Sequence, residues 1–359
     1  MRSGSRRSPV LVAAVLILLL AGCTSDEPTA PTDARAPHLV MTGPQSGFAV
    51  WPSGVRWIVI GTTDGWRTVS NRTPLAVPTD GGLVLSADPT TVAVGVLPHE
   101  QLSVSPVLQS TTAGGTWVPT QLPGALSSSA TALARSSGAT WAVLAGGSVV
   151  TEVDGTTGWR EAASAAALDP TGHLTLTGVD FPDRTTGFVT GSGPGDRPIL
   201  FVTTGQTSFA AVQLGLGGTG EATALAPCHI GSTWIAPVVT GGRLVVFTAP
   251  DLAGTWTAGP ALEVSGTPVV ACGPDRVWAV APKGSVDELS VAFPGGPWTL
   301  QGQLGAGTTS LSVVSADRAY VSAAAPATLT AVYLGASLTS EAVPLPGWVE
   351  TVGGAPMRN

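Results

Sequence analysis

Charged residues are scarce in this chain, and positive charge is the scarcer sign. Only 11% of the 359 residues are charged, with 16 Lys or Arg against 23 Asp or Glu. No cluster of basic residues follows the N-terminal segment, which argues against nucleic-acid binding and against electrostatic binding to lipid. Helix-period patterns are nearly absent after residue 40, which argues against a helical fold.

Side chains that bind metals or carry nucleophilic chemistry are few. The chain has three cysteines, four histidines and two tyrosines. The histidines show no HxxxH or HExxH spacing and the paired cysteines of zinc sites are missing, so we predict no metal. No glycine-rich loop follows a strand and opens a helix, so we predict no nucleotide cofactor.

Long apolar runs are confined to the N-terminus, where the sequence predicts a targeting segment. Three arginines precede the apolar run Val10–Leu20, which is too short to span a bilayer. The run ends in Leu-Ala-Gly-Cys23, which resembles the bacterial lipobox. The resemblance implies cleavage before Cys23 and a diacylglyceryl group on its thiol; the alternative is an ordinary secretory signal with a chance cysteine.

Composition divides the rest of the chain into a tether and a folded region. Residues 1–22 are predicted to be the signal peptide, and residues 23–38, rich in Pro and Thr, a lipid-anchored tether. Residues 39–359 are then the folded domain. We therefore expect a bacterial, cell-membrane protein, anchored on the extracytoplasmic side through Cys23 and monomeric.

An aromatic or aliphatic residue inside a short apolar run recurs seven times at steps of 42 to 47 residues. The series is Phe48, Val94, Trp141, Phe188, Trp234, Trp278 and Tyr320. The 46 glycines and 30 prolines are spread between such runs, as turn residues are. A repeat of this length built from strands predicts an all-β propeller, with seven four-stranded antiparallel blades and six or eight as alternatives.

A second series runs in phase with the first and marks a turn between the third and fourth strands of each blade. Its members are Asp64, Gly65, Trp66, Gly115, Trp117, Asp154, Gly155, Trp159, Asp251, Gly254, Trp256, Gly296 and Trp298. These turns resemble the Asp-box, or BNR repeat, in which Asp and Gly shape a hairpin and Trp packs between layers. The match is degenerate, because Ala113 stands where the second box would have its Asp.

The whole unit resembles the sialidase-like superfamily, and within it propellers of the photosystem II stability and assembly factor type. The superfamily implies one enzymatic alternative, a sialidase-like glycoside hydrolase with three arginines, a Tyr nucleophile and acidic partners. The early arginines, Arg56 and Arg67, lie in no such motif, and Tyr320 occupies a periodic packing position. The acids Asp88, Asp183, Asp275 and Asp317 recur as turn residues, so we predict no catalytic residue.

Cys228 and Cys272 each lie six residues before the periodic tryptophan of their repeat. They therefore occupy equivalent places in adjacent blades, where inner strands approach the axis. Export permits disulfides, so we predict a Cys228–Cys272 bridge; the alternative is two buried thiols. The functional prediction is a non-enzymatic surface scaffold that binds a protein partner or an envelope glycan.

Overall fold

Seven antiparallel sheets follow one another along the chain in a computed structural model of the protein. The structure describes residues 36–349, with gaps at 54–55, 72–74, 76, 78–81, 98–104, 121, 124–128, 137, 154–157, 196, 206, 217–221, 325 and 348. The predicted signal peptide, Cys23, nearly all of the tether, and the turn residues Asp154 and Gly155 lie outside the described residues.

The first four blades each contain four strands in chain order. Blade 1 has β1 (His38–Met41), β2 (Gly47–Ser53), β3 (Arg56–Thr62) and β4 (Ser70–Asn71). Blade 2 has β5 (Gly82–Ala87), β6 (Val92–Leu97), β7 (Val107–Ser110) and β8 (Val118–Pro119). Blade 3 has β9 (Ala130–Ser136), β10 (Ala139–Leu144), β11 (Val149–Glu152) and β12 (Trp159–Ala163). Blade 4 has β13 (Thr175–Asp180), β14 (Gly187–Gly193), β15 (Arg197–Thr203) and β16 (Ala210–Gln213).

The last three blades keep this plan, although blade 5 divides its first and fourth strands into two pieces. Blade 5 has β17 (Ala222–Ala224), β18 (Cys228–Ile230), β19 (Thr233–Thr240), β20 (Arg243–Ala249), β21 (Thr257–Ala258) and β22 (Leu262–Glu263). Blade 6 has β23 (Val269–Cys272), β24 (Val277–Lys283), β25 (Val286–Ala292) and β26 (Thr299–Gly305). Blade 7 has β27 (Thr308–Ser315), β28 (Arg318–Ala324), β29 (Ala327–Leu334) and β30 (Leu338–Ala342). A short helix, α1 (Ala165–Leu168), joins blades 3 and 4.

The first strand of each blade is the inner one, because these strands contact one another around a ring. Contacts run from β1 to β5, β9, β13, β18, β23 and β27, and β27 contacts β1. The prediction of a seven-bladed, all-β propeller is therefore confirmed. In the part of the chain that the structure describes, no helix is long and apolar enough to cross a membrane.

The ring closes between two complete blades. The amides of Leu39 and Met41 in β1 donate to the hydroxyls of Ser310 and Ser312 in β27, at 3.0 and 2.9 Å. Each blade is one continuous stretch of chain, so closure uses these hydrogen bonds and packing between blades 7 and 1.

Residues of the first periodic series occupy the second strand of every blade. Six are buried, from Phe48 at 5% exposure to Tyr320 at 0%, and Trp234 is half-buried. Their side chains pack in clusters that combine residues of neighbouring blades, as Trp141 of blade 3 does with Phe181 of blade 4. The repeat therefore arises because each blade places one of these residues in its contact with a neighbouring blade.

Candidate functional site

Two sets of turns share one face of the propeller, because strands alternate in direction within each blade. One set joins the first strand to the second, and the other joins the third to the fourth. We call this the Asp-turn face: its first set includes residues 88–91 and 181–186, and its second includes residues 63–69 and 111–117. Most predicted site residues that the structure describes lie in this second set.

The turn of blade 1 is closed by a carboxylate. Asp64 accepts hydrogen bonds from the amide of Thr68 at 2.9 Å and from its hydroxyl at 2.7 Å, and these bonds hold the pKa of Asp64 below its usual value. In blade 2, which lacks the Asp, the Thr112 hydroxyl accepts from the Thr116 amide at 2.9 Å. A threonine in blade 2 thus closes the turn that Asp64 closes in blade 1.

The tryptophans of the second series differ in burial. Trp66 and Trp159 are buried, whereas Trp117, Trp256 and Trp298 are half-buried. Two of these indoles donate to carbonyls, Trp256 to Leu252 at 3.4 Å and Trp298 to Pro260 at 3.1 Å. The assignment of these turns to the Asp-box stays a prediction.

Carboxylates in the first set of turns are bound by backbone amides. Asp88 accepts from the amides of Thr90 and Thr91, both at 2.8 Å. Asp183 accepts from the amides of Thr185 and Thr186, both at 2.7 Å. Partial burial alone would raise the pKa of Asp183, but these bonds lower it. Such groups are ionised at neutral pH and are poor proton donors.

A buried ion-pair network joins blades 2 and 3. Arg135, with a side chain only 6% exposed, places Nε 2.7 Å from Asp88 Oδ2 and Nη1 3.2 Å from Glu152 Oε2. Burial raises the pKa of Asp88, but the amides of Thr90 and Thr91 and the Arg135 charge lower it overall. Because both carboxylates bind one guanidinium, this pair has the arrangement of a structural link between blades.

Two further links join blades 4, 5 and 6. A disulfide connects Cys228 to Cys272 with a Cα separation of 5.9 Å, so the predicted bridge is confirmed. The neighbouring His229 places Nδ1 2.8 Å from Asp180 Oδ2 in blade 4. The hydrogen bond to the Asp180 carboxylate raises the pKa of His229, against the opposing effect of burial.

A charged cavity on the Asp-turn face lies where blade 7 meets blade 1. We call it the blade 7/1 cleft; its volume is about 600 Å³. Its lining residues are Gly65, Trp66, Arg67, Arg318, Ala331, Tyr333, Glu341, Ala342, Val343 and Pro344. A second described cavity, of about 490 Å³ between blades 6 and 7, is lined by hydroxyl and apolar residues without charge.

Arg318 is the central cation of the blade 7/1 cleft. Its guanidinium lies over the rings of Tyr320 and Tyr333, with Cζ at 4.9 and 5.4 Å from the ring centroids. It also donates to Tyr320 Oη. Within the described part of the chain, Arg318 forms no ion pair, and its buried Nε has no hydrogen-bond partner. This guanidinium therefore has a fixed position and unused capacity for an anion.

The buried Tyr320 holds the Arg318 guanidinium in position. Its hydroxyl donates to the carbonyl of Gly65 across the blade junction at 2.9 Å. Burial raises the pKa of Tyr320, and the Arg318 charge opposes that rise. Gly65 has a φ of +71°, and a Cβ there would lie 3.0 Å from Tyr320 Oη, so the turn requires glycine. Tyr320 packs between blades, as its place in the series predicts.

Sequence reasoning missed this cleft. Arg67 appeared as an arginine outside any motif, and Arg318 was not singled out, although the neighbouring Asp317 was identified as a turn residue. A local signal existed: Arg318 follows a turn Asp and precedes Tyr320 by two residues. Arg276 has the same place in blade 6, where it pairs with Asp275 at 2.8 Å. Only the structure distinguishes the paired arginine from the unpaired one.

Comparison with known proteins identifies the fold. No protein-family model and no curated protein sequence matches the chain. The structure of YCF48 bound to a D1 peptide matches with a TM-score of 0.57 at 17% identity, over 81% of this chain and 91% of that chain. Virginiamycin B lyase from Staphylococcus aureus matches with a TM-score of 0.54 at 9% identity, over 81% and 92%.

The computationally designed Ika8 protein matches as well, with a TM-score of 0.53 at 16% identity, over 84% of this chain and 89% of that chain. A peptide complex, a lyase and a designed protein share the architecture. These likenesses therefore show the fold, and function has to be argued from the site.

Proposed function

We propose that this protein is a non-enzymatic binding scaffold that holds a segment of a protein partner in the blade 7/1 cleft. The observation that carries the proposal is the Arg318 guanidinium, fixed between two tyrosine rings and without an ion pair among the described residues. Arg67 adds a second, exposed cation to the same lining. Aromatic and arginine side chains in a concave site are typical of protein-binding hot spots.

The peptide complex of YCF48 supports this choice over an envelope glycan. That propeller binds a peptide, and the blade 7/1 cleft is lined by Arg67, Arg318 and the carboxylate of Glu341, so its cations outnumber its anion and favour an acidic segment. The sialidase-like alternative needs a proton donor, and Asp88 and Asp183 have lowered pKa values instead. Turnover of a fluorogenic sialoside by the pure protein would overturn the scaffold proposal.

The binding test places a photoreactive phenylalanine analogue at Tyr333 and captures the partner on intact cells. The same analogue at Phe293, which is 59% exposed on blade 6, is the position control. In the Tyr333 background, Arg318→Ala is expected to lower the yield of cross-linked partner about tenfold, because it removes the fixed guanidinium. Quantitative mass spectrometry of the cross-linked products measures this yield.

Two further variants make that result interpretable. Arg67 is an exposed residue of the cleft lining, so Arg67→Ala is expected to lower the yield of cross-linked partner about threefold without affecting the core. Arg197→Ala should leave the yield of cross-linked partner unchanged, because Arg197 is the exposed first residue of β15 in blade 4. Equal capture at Tyr333 and Phe293, or capture that survives Arg318→Ala, would contradict binding in the cleft.

We also propose that the domain, residues 39–359, is held at the extracytoplasmic membrane surface as a monomer by a diacylglyceryl group on Cys23. Two acyl chains give stable attachment where one does not. Residues 1–22 act as the signal peptide, and residues 23–38 form the tether.

The anchor is tested by feeding cells an alkyne-labelled fatty acid. The wild-type protein is expected to incorporate the label, and Cys23→Ser is expected to abolish incorporation because the acceptor thiol is lost. Thr24→Ala changes the neighbouring residue and keeps the thiol, so its labelling should equal the wild type. Labelling of Cys23→Ser at the wild-type level would refute the lipid anchor.

A further inference from the structure

The inner strand of blade 5 is interrupted within its own sheet, although the Leu225 amide in the interruption still donates to the Pro237 carbonyl at 2.9 Å. Its two pieces, β17 and β18, pair with the same strand β19, but three residues separate Ala224 from Cys228 while two separate their partners. The extra residue falls at Leu225–Pro227, and Pro227 has no amide hydrogen to donate. The piece beyond this interruption, β18, keeps only three register pairs with β19.

A disulfide bond attaches β18 to a neighbouring blade. Cys228, its first residue, is bonded to Cys272, the last residue of β23 in blade 6. Both cysteines are half-buried. The disulfide therefore ties the second piece of the blade 5 inner strand to the inner strand of blade 6, β23, which keeps four register pairs with β24.

An ion pair attaches β18 to blade 4, on the side opposite to the disulfide. His229 is the next residue along β18, and adjacent residues of a strand point to opposite faces. Its Nδ1 lies 2.8 Å from Asp180 Oδ2, at the end of β13 in blade 4, and its ring lies 5.9 Å from that of Trp234. The two side chains are 35% and 20% exposed.

Other charged groups on the adjoining turns have partners of their own. After β13, Asp183 accepts from two backbone amides, and Arg184 donates to the Gly138 carbonyl at 3.3 Å. After β23, Asp275 pairs with Arg276. Neither cysteine titrates while the disulfide is intact. Asp180 is accordingly the charged partner of His229 among the described residues.

We propose that β18 is a double clasp between blades 4 and 6, released only when the Cys228–Cys272 disulfide is reduced and the His229–Asp180 ion pair is broken. Either link alone keeps the strand in place, since each joins it to a different neighbouring blade. Reduction needs an external dithiol, which gives two electrons and two protons. The S–S bond breaks, two S–H bonds form at Cys228 and Cys272, and the dithiol becomes a disulfide.

The pH at which the ionic link holds follows from linkage. The pKa of His229 is raised in the folded protein, so the pair stabilises β18 fully below the unfolded value of about 6.5. This contribution is lost as the pH rises through the folded pKa. The reduced protein should therefore keep β18 in place in mild acid and release it in mild alkali.

Hydrogen exchange of the full chain, read by mass spectrometry over residues 222–240, tests the clasp. Oxidised and reduced protein are compared at pH values of about 5.5 and 8, and the rates are corrected for the intrinsic exchange rate at each pH. The sample for the acidic measurement is reduced first and then transferred to the lower pH. We expect exchange in residues 226–232 to accelerate at least about tenfold only in the reduced protein at the higher pH.

Variants separate the two links. His229→Gln should make the reduced protein exchange rapidly at both pH values, whereas Cys228→Ser with Cys272→Ser should reproduce the reduced wild type. His173→Gln is the matched control and should change nothing, because His173 is exposed in the connection between α1 and β13. Rapid exchange on reduction at both pH values in the wild type, or slow exchange in all four states, would overturn the double clasp.

Discussion

Trp141→Ala is expected to lower the free energy of unfolding by about 3 kcal/mol, at the lower end of the range for large buried aromatic residues. The indole is 1% exposed and stacks on Phe181 of blade 4, with ring centroids 3.7 Å apart and planes at 5°. Truncation leaves a cavity at the junction of two blades. The loss is moderated because Trp141 Nε1 is buried without a hydrogen-bond partner among the described residues. Chemical denaturation followed by circular dichroism measures it.

Trp298→Ala is the control for that prediction. Trp298 belongs to the second periodic series, is half-buried, and donates one hydrogen bond to Pro260 at 3.1 Å. Its loss should cost only about 1 kcal/mol, the value of one such bond with little packing. Equal losses for the two variants would show that the burial and stacking of Trp141 contribute no more stability than the single hydrogen bond of Trp298.

This contrast explains how much of the fold could be predicted from the sequence. The first series could be identified because inter-blade packing requires one large apolar residue at the same place in each second strand, from Phe48 to Tyr320. The cysteine pair followed from the same regularity, since equivalent positions in adjacent blades approach within 5.9 Å. In a repeat protein, a contact between equivalent positions of adjacent blades can therefore be predicted from the spacing of residues along the chain.

Departures from the repeat could not be predicted in this way. Blade 5 divides its inner strand at Pro227, and the partner strand β19 contains Pro237, so two residues without amide hydrogens disturb one ladder. The bounds of the last strand, β30 at Leu338–Ala342, likewise follow no repeat spacing, because its register is set by Leu334 pairing with Leu338. Local turn geometry decided both cases.

The blade 7/1 cleft was hidden for a different reason. Arg67 and Arg318 come from opposite ends of the domain and meet only because the ring closes between β27 and β1. No repeat spacing relates them, since the closing junction occurs once. A functional site at this junction is therefore invisible to periodic analysis, although each residue that forms it lies in a recognisable turn or strand.

Arg135→Ala is expected to lower the free energy of unfolding by about 3 kcal/mol at neutral pH, because it leaves two largely buried carboxylates without their cation. Asp88 and Glu152 are 23% and 17% exposed in their ion pairs with Arg135. Adding Asp88→Asn and Glu152→Gln to the variant should recover part of the loss, since the uncompensated charges disappear. Thermal and chemical unfolding of the three proteins measures the differences.

The same network gives a pH dependence of definite sign. The pKa of Asp88 is lowered in the folded protein, so its stabilisation is present above the usual carboxyl value of about 3.8 and is lost as the pH falls. The difference in free energy of unfolding between wild type and Arg135→Ala should therefore stay constant from about pH 7 to about pH 5 and narrow below about pH 4. Arg243→Ala breaks an exposed pair with Glu263, 60% and 73% exposed, and should cost less than about 1 kcal/mol. A loss for Arg135→Ala no larger than this, or one that is constant with pH, would show that the buried network contributes no more than a surface ion pair.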